Sequence, residues 1–414
     1  MEYIFQKKQF VRDFISGLGK KWVIYPAAFF TAGSMGLLAL GMVFYLREIF
    51  HASRTEIGLF ASLWSLTYTI GCLSLGKLYM KISPRYLILA ATFLATVFSL
   101  MMLTAPSIIY IFLFQGILGF SISLFWPPLT GWLTAGVEGV QLGKIMSGYN
   151  ISWSLGTILS PFLAGFLSEI NTVLPIYMSG FMMLINFFMV LAAVSLAPPV
   201  SKEKDKPVLS ETSLETKLKV HREDETLLRY PAWTGVITCF IAAAVIFNIF
   251  PLYAKEALGF SKSSVGILLL IRALITTLAF IMLGKSSFWH FKAWQMIAGQ
   301  ALLLVCMGIM IYLSSFWLLA MDLSLIGVCI ALGYFNSQFH GVAGSRDRSK
   351  RAAVHEALLS VGIVSGAVIG GMIYDFISMT AVYIFCVLCL LAGTLVQLIL
   401  CAWVKRKERS ALPL

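Results

Sequence analysis

Read from end to end, the chain alternates between long apolar runs and short polar breaks. Cut at charges, prolines and glycine clusters, the apolar runs fall near residues 22–46, 56–80, 86–105, 107–136, 143–168, 172–197, 231–254, 263–284, 290–313, 315–341, 352–375 and 377–403. Each is long enough to cross a bilayer as a helix, which takes about 20 residues. Lipid requires the helical form, because backbone N–H and C=O groups there must be paired within their own segment. The pattern predicts an all-α integral membrane protein with twelve transmembrane helices, spans 1 to 12. Pro127, Pro128 and Pro161 fall inside spans, where neighbouring helices can accommodate them. One polar stretch is far longer than the rest: 198–230 holds seven basic and seven acidic residues. It divides the chain into a six-helix bundle at 1–197, a solvated linker at 198–230 and a second six-helix bundle at 231–414.

Composition agrees with the pattern. Apolar residues make up 59% of the 414 and charged residues only 12%, whereas a soluble domain is roughly a quarter charged. A chain so poor in polar surface is not a soluble enzyme. The net charge of +12 does not point to nucleic acid, because the charges sit in short loops and form no basic stripe. Their placement sets orientation instead. With the N-terminus inside, 26 of the 31 Lys and Arg residues fall in inward-facing segments. Arg47, Arg54, Lys255 and Lys262 lie outside, and Arg272 lies within span 8. By the positive-inside rule both termini and the linker face the cytoplasm, in a plasma membrane such as the bacterial inner membrane. The run from Trp22 to Tyr45 is longer than a secretory h-region, so it is expected to stay as span 1. The seven cysteines all lie in apolar runs, and Cys386-x-x-Cys389 has no second pair or nearby histidines. They read as small packing residues, and no metal or cofactor is expected.

The two halves are related. At an offset of 208 residues, Tyr45, Arg47, Glu48, Ser53, Arg54, Thr55, Ile57 and Gly58 face Tyr253, Lys255, Glu256, Ser261, Lys262, Ser263, Val265 and Gly266. The register continues to Gly76-Lys77 and Gly284-Lys285. At an offset of 206, Gly156, Ala164, Gly165 and Glu169 face Gly362, Gly370, Gly371 and Asp375. Parallel repeats of this kind are a common construction of alternating-access carriers.

With these motifs in hand, the sequence resembles the major facilitator superfamily over nearly its whole length. Tyr45-x-x-Glu48…Ser53-x-x-x-Ile57-Gly58 is similar to that family's first hairpin. The segment from Gly76-Lys77 through Met80-Lys81 to Pro84-Arg85 is similar to its basic loop between spans 2 and 3. The family usually has Asp where Met80 stands and Gly where Ser83 stands. The resemblance implies a gating role for Gly76, Lys77, Lys81 and Arg85. Glu356, near the start of span 11, is a candidate to replace the missing Asp by pairing with Lys77, Lys81 or Arg85, or else a carboxylate stabilised by its own helix N-terminus. In span 5, Gly156-x-x-x-Ser160-Pro161-x-x-Ala164-Gly165 resembles the Gly-Pro signature of the family's antiporters, repeated in span 11 as Gly362-x-x-x-Gly366-x-x-x-Gly370-Gly371. Small residues at this spacing also serve close helix packing alone. In span 4, Gln115-Gly116 fits part of another antiporter signature, whose Arg would fall at Phe112. The implied fold is two pseudo-symmetric six-helix bundles, the major facilitator fold.

Charges inside a bilayer cost about 2.5–3.5 kcal/mol each on insertion scales. Arg272 in span 8 and Asp322 in span 10 lie at comparable depth. Either Arg272 attracts an anionic substrate and Asp322 couples an ion, or the two pair and tie their helices together. Glu356 is a second ion-coupling candidate. Other candidates for a central cavity are Trp64 and Tyr68 in span 2, Gln115 and Trp126 in span 4, Asn150 and Trp153 in span 5, Asn248 in span 7 and Asn336 in span 10. For each of these, helix–helix hydrogen bonding or packing is the competing role.

No HExxH, GxSxG, carboxylate cluster with a metal partner or phosphate-binding loop is present. The leading expectation is therefore a non-enzymatic secondary transporter that binds no nucleic acid and acts as a monomer in the bilayer. It would move a small organic solute, with proton-coupled efflux ahead of uptake of an organic anion or flipping of a lipid-like molecule. A transport-inactive receptor or scaffold is the alternative from outside the carriers.

Overall fold

The structure, a computed structural model, describes residues 21–134, 139–196, 227–285, 289–342 and 348–410. Every regular element among them is a helix. Those matching the predicted spans are α1 Lys21–Ile49, α2 Arg54–Ser74, α3 Pro84–Met101, α4 in two pieces (Ile108–Ile122 and Trp126–Thr134), α5 Gly139–Ile170 and α6 Leu174–Leu196. The second half follows with α7, again in two pieces (Arg229–Asn248 and Phe250–Glu256), α8 Lys262–Lys285, α9 Trp294–Ile309, α10 Phe316–Val342, α11 Arg348–Phe376 and α12 Met379–Ser410. Eleven helices among the described residues are long and apolar enough to cross a membrane. The shorter α9 has 16 residues, about 24 Å at a helical rise of 1.5 Å per residue, against the longer run expected at 290–313. Residues 198–226 of the linker lie outside the described residues.

Proline explains both broken helices. A proline has no N–H to donate four residues back, and its ring crowds that carbonyl. In α4 the partner lost to Pro127 is the Ser123 carbonyl, which instead accepts from the Tyr79 hydroxyl at 2.9 Å. Ser123, Leu124 and Phe125 tighten into i→i−3 bonds ahead of the break. In α7 the break falls at Ile249, two residues before Pro251. The second span also stops early. It ends at Ser74, and a separate short helix, Gly76–Lys81, carries the basic loop.

The described residues form two compact units. One comprises residues up to Phe50 together with those from Leu63 to 196. The other comprises His51–Ser62 together with those from 227 onward. In the first, α1 packs on α5 and α6, and α3 on α6 and α4. In the second, α7 packs on α11, α12 and α10, α8 on α10, and α9 on α12 and α10. The hydrophobic windows of α1 and α7 are each 72% buried, more than in any other described span, so these are the central helices of their units. Large apolar side chains such as Trp317, Met321, Leu388 and Ile399 are exposed, as a lipid-facing surface requires.

The sequence repeat is a repeat of contacts. A Cβ on Gly156 would stand 2.6 Å from the Phe29 carbonyl oxygen, and one on Gly362 would stand 2.6 Å from that of Ile237. Gly156 and Gly362 are repeat-mates, and so are Phe29 and Ile237. Only glycine lets α5 approach α1, and α11 approach α7, so closely. Polar side chains reinforce the packing: Asn186 Nδ2 donates to Thr31 Oγ1 at 2.8 Å and to the Ala27 carbonyl, and Gln397 Nε2 donates to the Pro231 carbonyl at 2.9 Å. The turn into α2 and the turn into α8 match as well. His51 at φ 52° and Gly259 at φ 70° are 208 residues apart, and both chains reverse through a left-handed residue.

Candidate functional site

Arg272 is the eleventh residue of α8. Its guanidinium carbon lies 4.3 Å from the centre of the Phe247 ring on α7, and its Nε is buried without a hydrogen-bond partner. Asp322, the seventh residue of α10, is 5% exposed. Its carboxylate lies beside the Cys306 thiol of α9, and its Oδ2 is buried with no partner. No Arg272–Asp322 ion pair is among the described contacts, which corrects the structural alternative for the two. The tie between α8 and α10 is made by Thr276, whose hydroxyl donates to the Gly327 carbonyl at 3.1 Å and to its own helix at the Arg272 carbonyl. Gly327 faces α8, and Asp322, five residues earlier, points about 140° around the helix from it. Similar depth brought the two charges level, while their azimuths separate them.

The aromatic candidates gather in two places of the first unit. Trp64 and Tyr68, one turn apart on α2, stack with ring centres at 5.2 Å and an interplanar angle of 5°. Trp126 lies edge-on to Phe125 and to Tyr149, at 5.0 and 6.3 Å, and Trp153 and Tyr25 pack against the same cluster. Gln115 is 6% exposed, with its Oε1 unpartnered. The Asn150 side chain lies outside the described residues. In the second unit Asn248 turns its amide N–H back to the Ala244 carbonyl at 2.9 Å. Asn336 exchanges two 2.7 Å hydrogen bonds with Gln295 and donates a third to Leu332. Its amide ties α9 to α10 and keeps one acceptor lone pair on Oδ1.

Among the gating candidates, Gly156, Pro161 and Gly165 lie on α5. Gly156 has the close contact already described, and Pro161 leaves the Thr157 carbonyl to accept from the Ser160 hydroxyl at 3.4 Å. Gly76 is open: a Cβ there would meet nothing within 4 Å. Lys81 is exposed, and Arg85 is buried with its guanidinium 5.3 Å from the Tyr86 ring. The Lys77 side chain lies outside the described residues. Glu356 is exposed, and no ion pair among the described residues includes it.

The sequence does not anticipate one polar constellation. Ser53 and Glu56 form a capping box at the start of α2: Glu56 N–H donates to Ser53 Oγ at 3.1 Å, and Ser53 N–H donates to Glu56 Oε2 at 2.7 Å. The next two free donors are met by Asp375 at the end of α11. Its Oδ1 accepts from Arg54 N–H at 3.0 Å, and its Oδ2 accepts from Thr55 N–H and from Thr55 Oγ1, both at 2.7 Å. The Arg54 guanidinium pairs with Glu256 at 2.7 Å and lies 4.4 Å from the Tyr374 ring centre. The repeat-mate Ser261 caps α8 in the same way, accepting from Ser264 N–H at 3.0 Å. The available signals were Ser53-x-x-Glu56 itself, and Asp375 as one of the two acidic residues matched by the 206-residue repeat.

The family model of the Major Facilitator Superfamily matches residues 24–339. The chain belongs to the major facilitator superfamily. Its similarity to the quinolone resistance protein NorA of Staphylococcus aureus is 21% identity over 368 residues, 86% of this chain and 89% of NorA. A glycerol-3-phosphate transporter of Bacillus subtilis is 25% identical over 228 residues, 50% of this chain and 51% of that protein. An uncharacterised MFS-type transporter of Methanocaldococcus jannaschii is 28% identical over 166 residues, and the match spans 42% of that relative's length. Among solved structures, the nucleoside transporter NupG superposes with a TM-score of 0.72 at 13% identity, over 92% of this chain and 98% of NupG. A bacterial homologue of the human lysosomal transporter Spinster, in an inward-facing conformation, gives 0.67 at 14% identity, over 94% of this chain and 96% of that one. At such identities the likeness to solved structures shows the fold. Superfamily membership makes the protein a multi-pass membrane transporter, and members of this family are generally not enzymes.

Proposed function

We propose that this superfamily member is a secondary carrier that exports a small organic solute by alternating access, with inward proton movement driving the exchange. The observation that carries this reading is the separation of the two mid-membrane charges, Arg272 stacked on Phe247 and Asp322 buried beside Cys306, neither neutralising the other. A buried charge without a partner is expensive, and in transporters such residues mark substrate and ion pathways. Arg272 then meets solute, and Asp322 is the group that takes up and releases a proton, with Glu356 as a second carrier of protons. Trp64, Tyr68, Trp126 and Trp153 supply aromatic walls, and Gln115, Asn150 and Asn248 supply polar contacts. Asn336 joins them, its amide held in place by Gln295. The loop holding Gly76, Lys77, Lys81 and Arg85 gates one side, and Gly156, Pro161 and Gly165 let α5 bend and slide against α1. Both termini are assigned to the cytoplasm of a bacterial inner membrane, and the functional unit to a monomer.

Likeness to a quinolone resistance protein along most of the chain supports export. Uptake of an organic anion is the second reading, favoured by Arg272 and by partial likeness to a glycerol-3-phosphate transporter. The deciding experiment is flux in proteoliposomes of the full chain with a panel of solutes and an imposed pH gradient. Solute leaving against incoming protons is the expected result. Movement in the direction of the protons would favour uptake, and no flux of any solute would count against a carrier.

A further inference from the structure

We propose that the solute carries an oxyanion, a carboxylate or a phosphate, on an apolar body, and that Arg272 binds the charged end. This rests on the carrier reading above and names its substrate class. Arg272 is the one basic residue near the middle of a described spanning helix. No ion pair and no hydrogen bond from its guanidinium is present among the described residues: the Asp322 carboxylate lies beside Cys306, and the Thr276 hydroxyl donates to the Arg272 and Gly327 carbonyls. What it does have is the Phe247 ring at 4.3 Å. An aromatic ring attracts the guanidinium through its π face and uses none of its N–H donors. The planar group therefore keeps the geometry that matches an oxyanion with two parallel hydrogen bonds.

The surroundings select the rest of the ligand. One turn to either side of Arg272 on α8 stand Leu268, Leu269, Ile275 and Thr276. Three of these are aliphatic, and the fourth, Thr276, turns its hydroxyl onto the Gly327 carbonyl of α10. A polyol body would lose its hydrogen bonds to water there without replacing them, whereas an apolar body loses none.

The test uses the purified full-length protein and matched pairs of probes: benzoate against benzamide, phenyl phosphate against phenol, and inorganic phosphate alone. Thermal unfolding should shift upward, saturably, with the organic anions and not with their neutral partners, as binding to the folded form requires. Phenyl phosphate and benzoate separate the phosphate from the carboxylate. Inorganic phosphate acting as strongly as phenyl phosphate would remove the apolar body from the proposal. Arg272→Gln should weaken the shift by about tenfold or more in probe concentration, the scale of a lost charged hydrogen bond, and Arg272→Lys should retain part of it.

Without probe, Arg272→Gln should unfold at the wild-type temperature or above it, because it removes a half-buried charge that has no counter-ion among the described residues. A large drop there would make Arg272 structural and overturn the proposal. Equal stabilisation by neutral probes, stabilisation by no anion, or an undiminished shift in Arg272→Gln would each overturn it too. Binding of the anion without flux into proteoliposomes would instead refute the carrier reading and leave the site standing.

Discussion

At the scale of single residues, the decisive quantities are free space and unpaired charge. Gly156 and Gly362 occupy equivalent positions where a methyl group would meet a backbone carbonyl at 2.6 Å, and backbone cannot step aside as a side-chain tip can. Gly156→Ala and Gly362→Ala should therefore destabilise the protein by similar amounts, about 1–3 kcal/mol, the usual cost of overpacking. Gly76→Ala, with nothing near it, should be neutral or stabilising, because glycine costs up to about 1 kcal/mol relative to alanine in a helix. Thermal unfolding of the three variants tests this, and the prediction fails if Gly76→Ala proves the most damaging. Asp322 requires a different readout. Asp322→Asn keeps the size of the side chain and removes its ability to exchange a proton. It should leave exchange of solute between compartments intact while abolishing acceleration by a pH gradient. Undiminished acceleration would show that the proton travels elsewhere.

At the scale of elements, most of the fold was legible in the sequence because a spanning helix advertises itself by length. Each of the twelve apolar runs has its helix among the described residues. The ends were less legible: the apolar run 290–313 extends on both sides of the 16-residue α9, and hydrophobicity does not mark where hydrogen bonding stops. The breaks in α4 and α7 follow from Pro127 and Pro251, but a proline fixes where a helix can bend, not whether Tyr79 will be there to take the freed carbonyl. Depth along a helix was readable for Arg272 and Asp322, and azimuth was not, so a plausible ion pair turned out to be two separate groups. Asn336 shows a related limit: an amide in an apolar run signals a need for partners, and the sequence did not reveal that Gln295 is one of them. The start of α2 shows what sequence conceals most completely. Ser53-x-x-Glu56 is a local signal, whereas Asp375 lies 320 residues from Thr55. A helix cap is worth about 0.5–2 kcal/mol, and an exposed ion pair such as Arg54–Glu256 about 0–1 kcal/mol. Asp375→Ala should then cost more stability than Glu256→Ala, and Asp375→Asn, which keeps one acceptor oxygen, should fall between Asp375→Ala and wild type. Unfolding midpoints ranked in any other order would shift the weight from the cap to the ion pair.

At the scale of the whole molecule, α2 has a double allegiance. Its first turns, up to Ser62, group with the second unit, and its remainder groups with the first. The grip on the first turns is specific: the backbone donors of Arg54 and Thr55 on Asp375, the Ser62 hydroxyl 3.4 Å from the Val364 carbonyl, and Gly371 so close to Arg54 that a Cβ there would stand 2.5 Å from its carbonyl oxygen. These contacts are a few hydrogen bonds and a close backbone approach, and none is a large greasy surface. A contact of that kind can open and reform without exposing a core. If alternating access requires this end of α2 to leave α11, then holding it there must stop the cycle. Cysteines placed at Thr55 and Asp375 and joined by a short bifunctional thiol reagent should abolish solute flux in proteoliposomes. Each single-cysteine variant treated with the same reagent should keep its flux, and a linker cleavable by reductant should restore the activity of the double variant. Flux that continues through the intact cross-link would mean that the first turns of α2 travel with the second unit throughout the cycle, and that the moving boundary lies within α2, between Ser62 and Leu63.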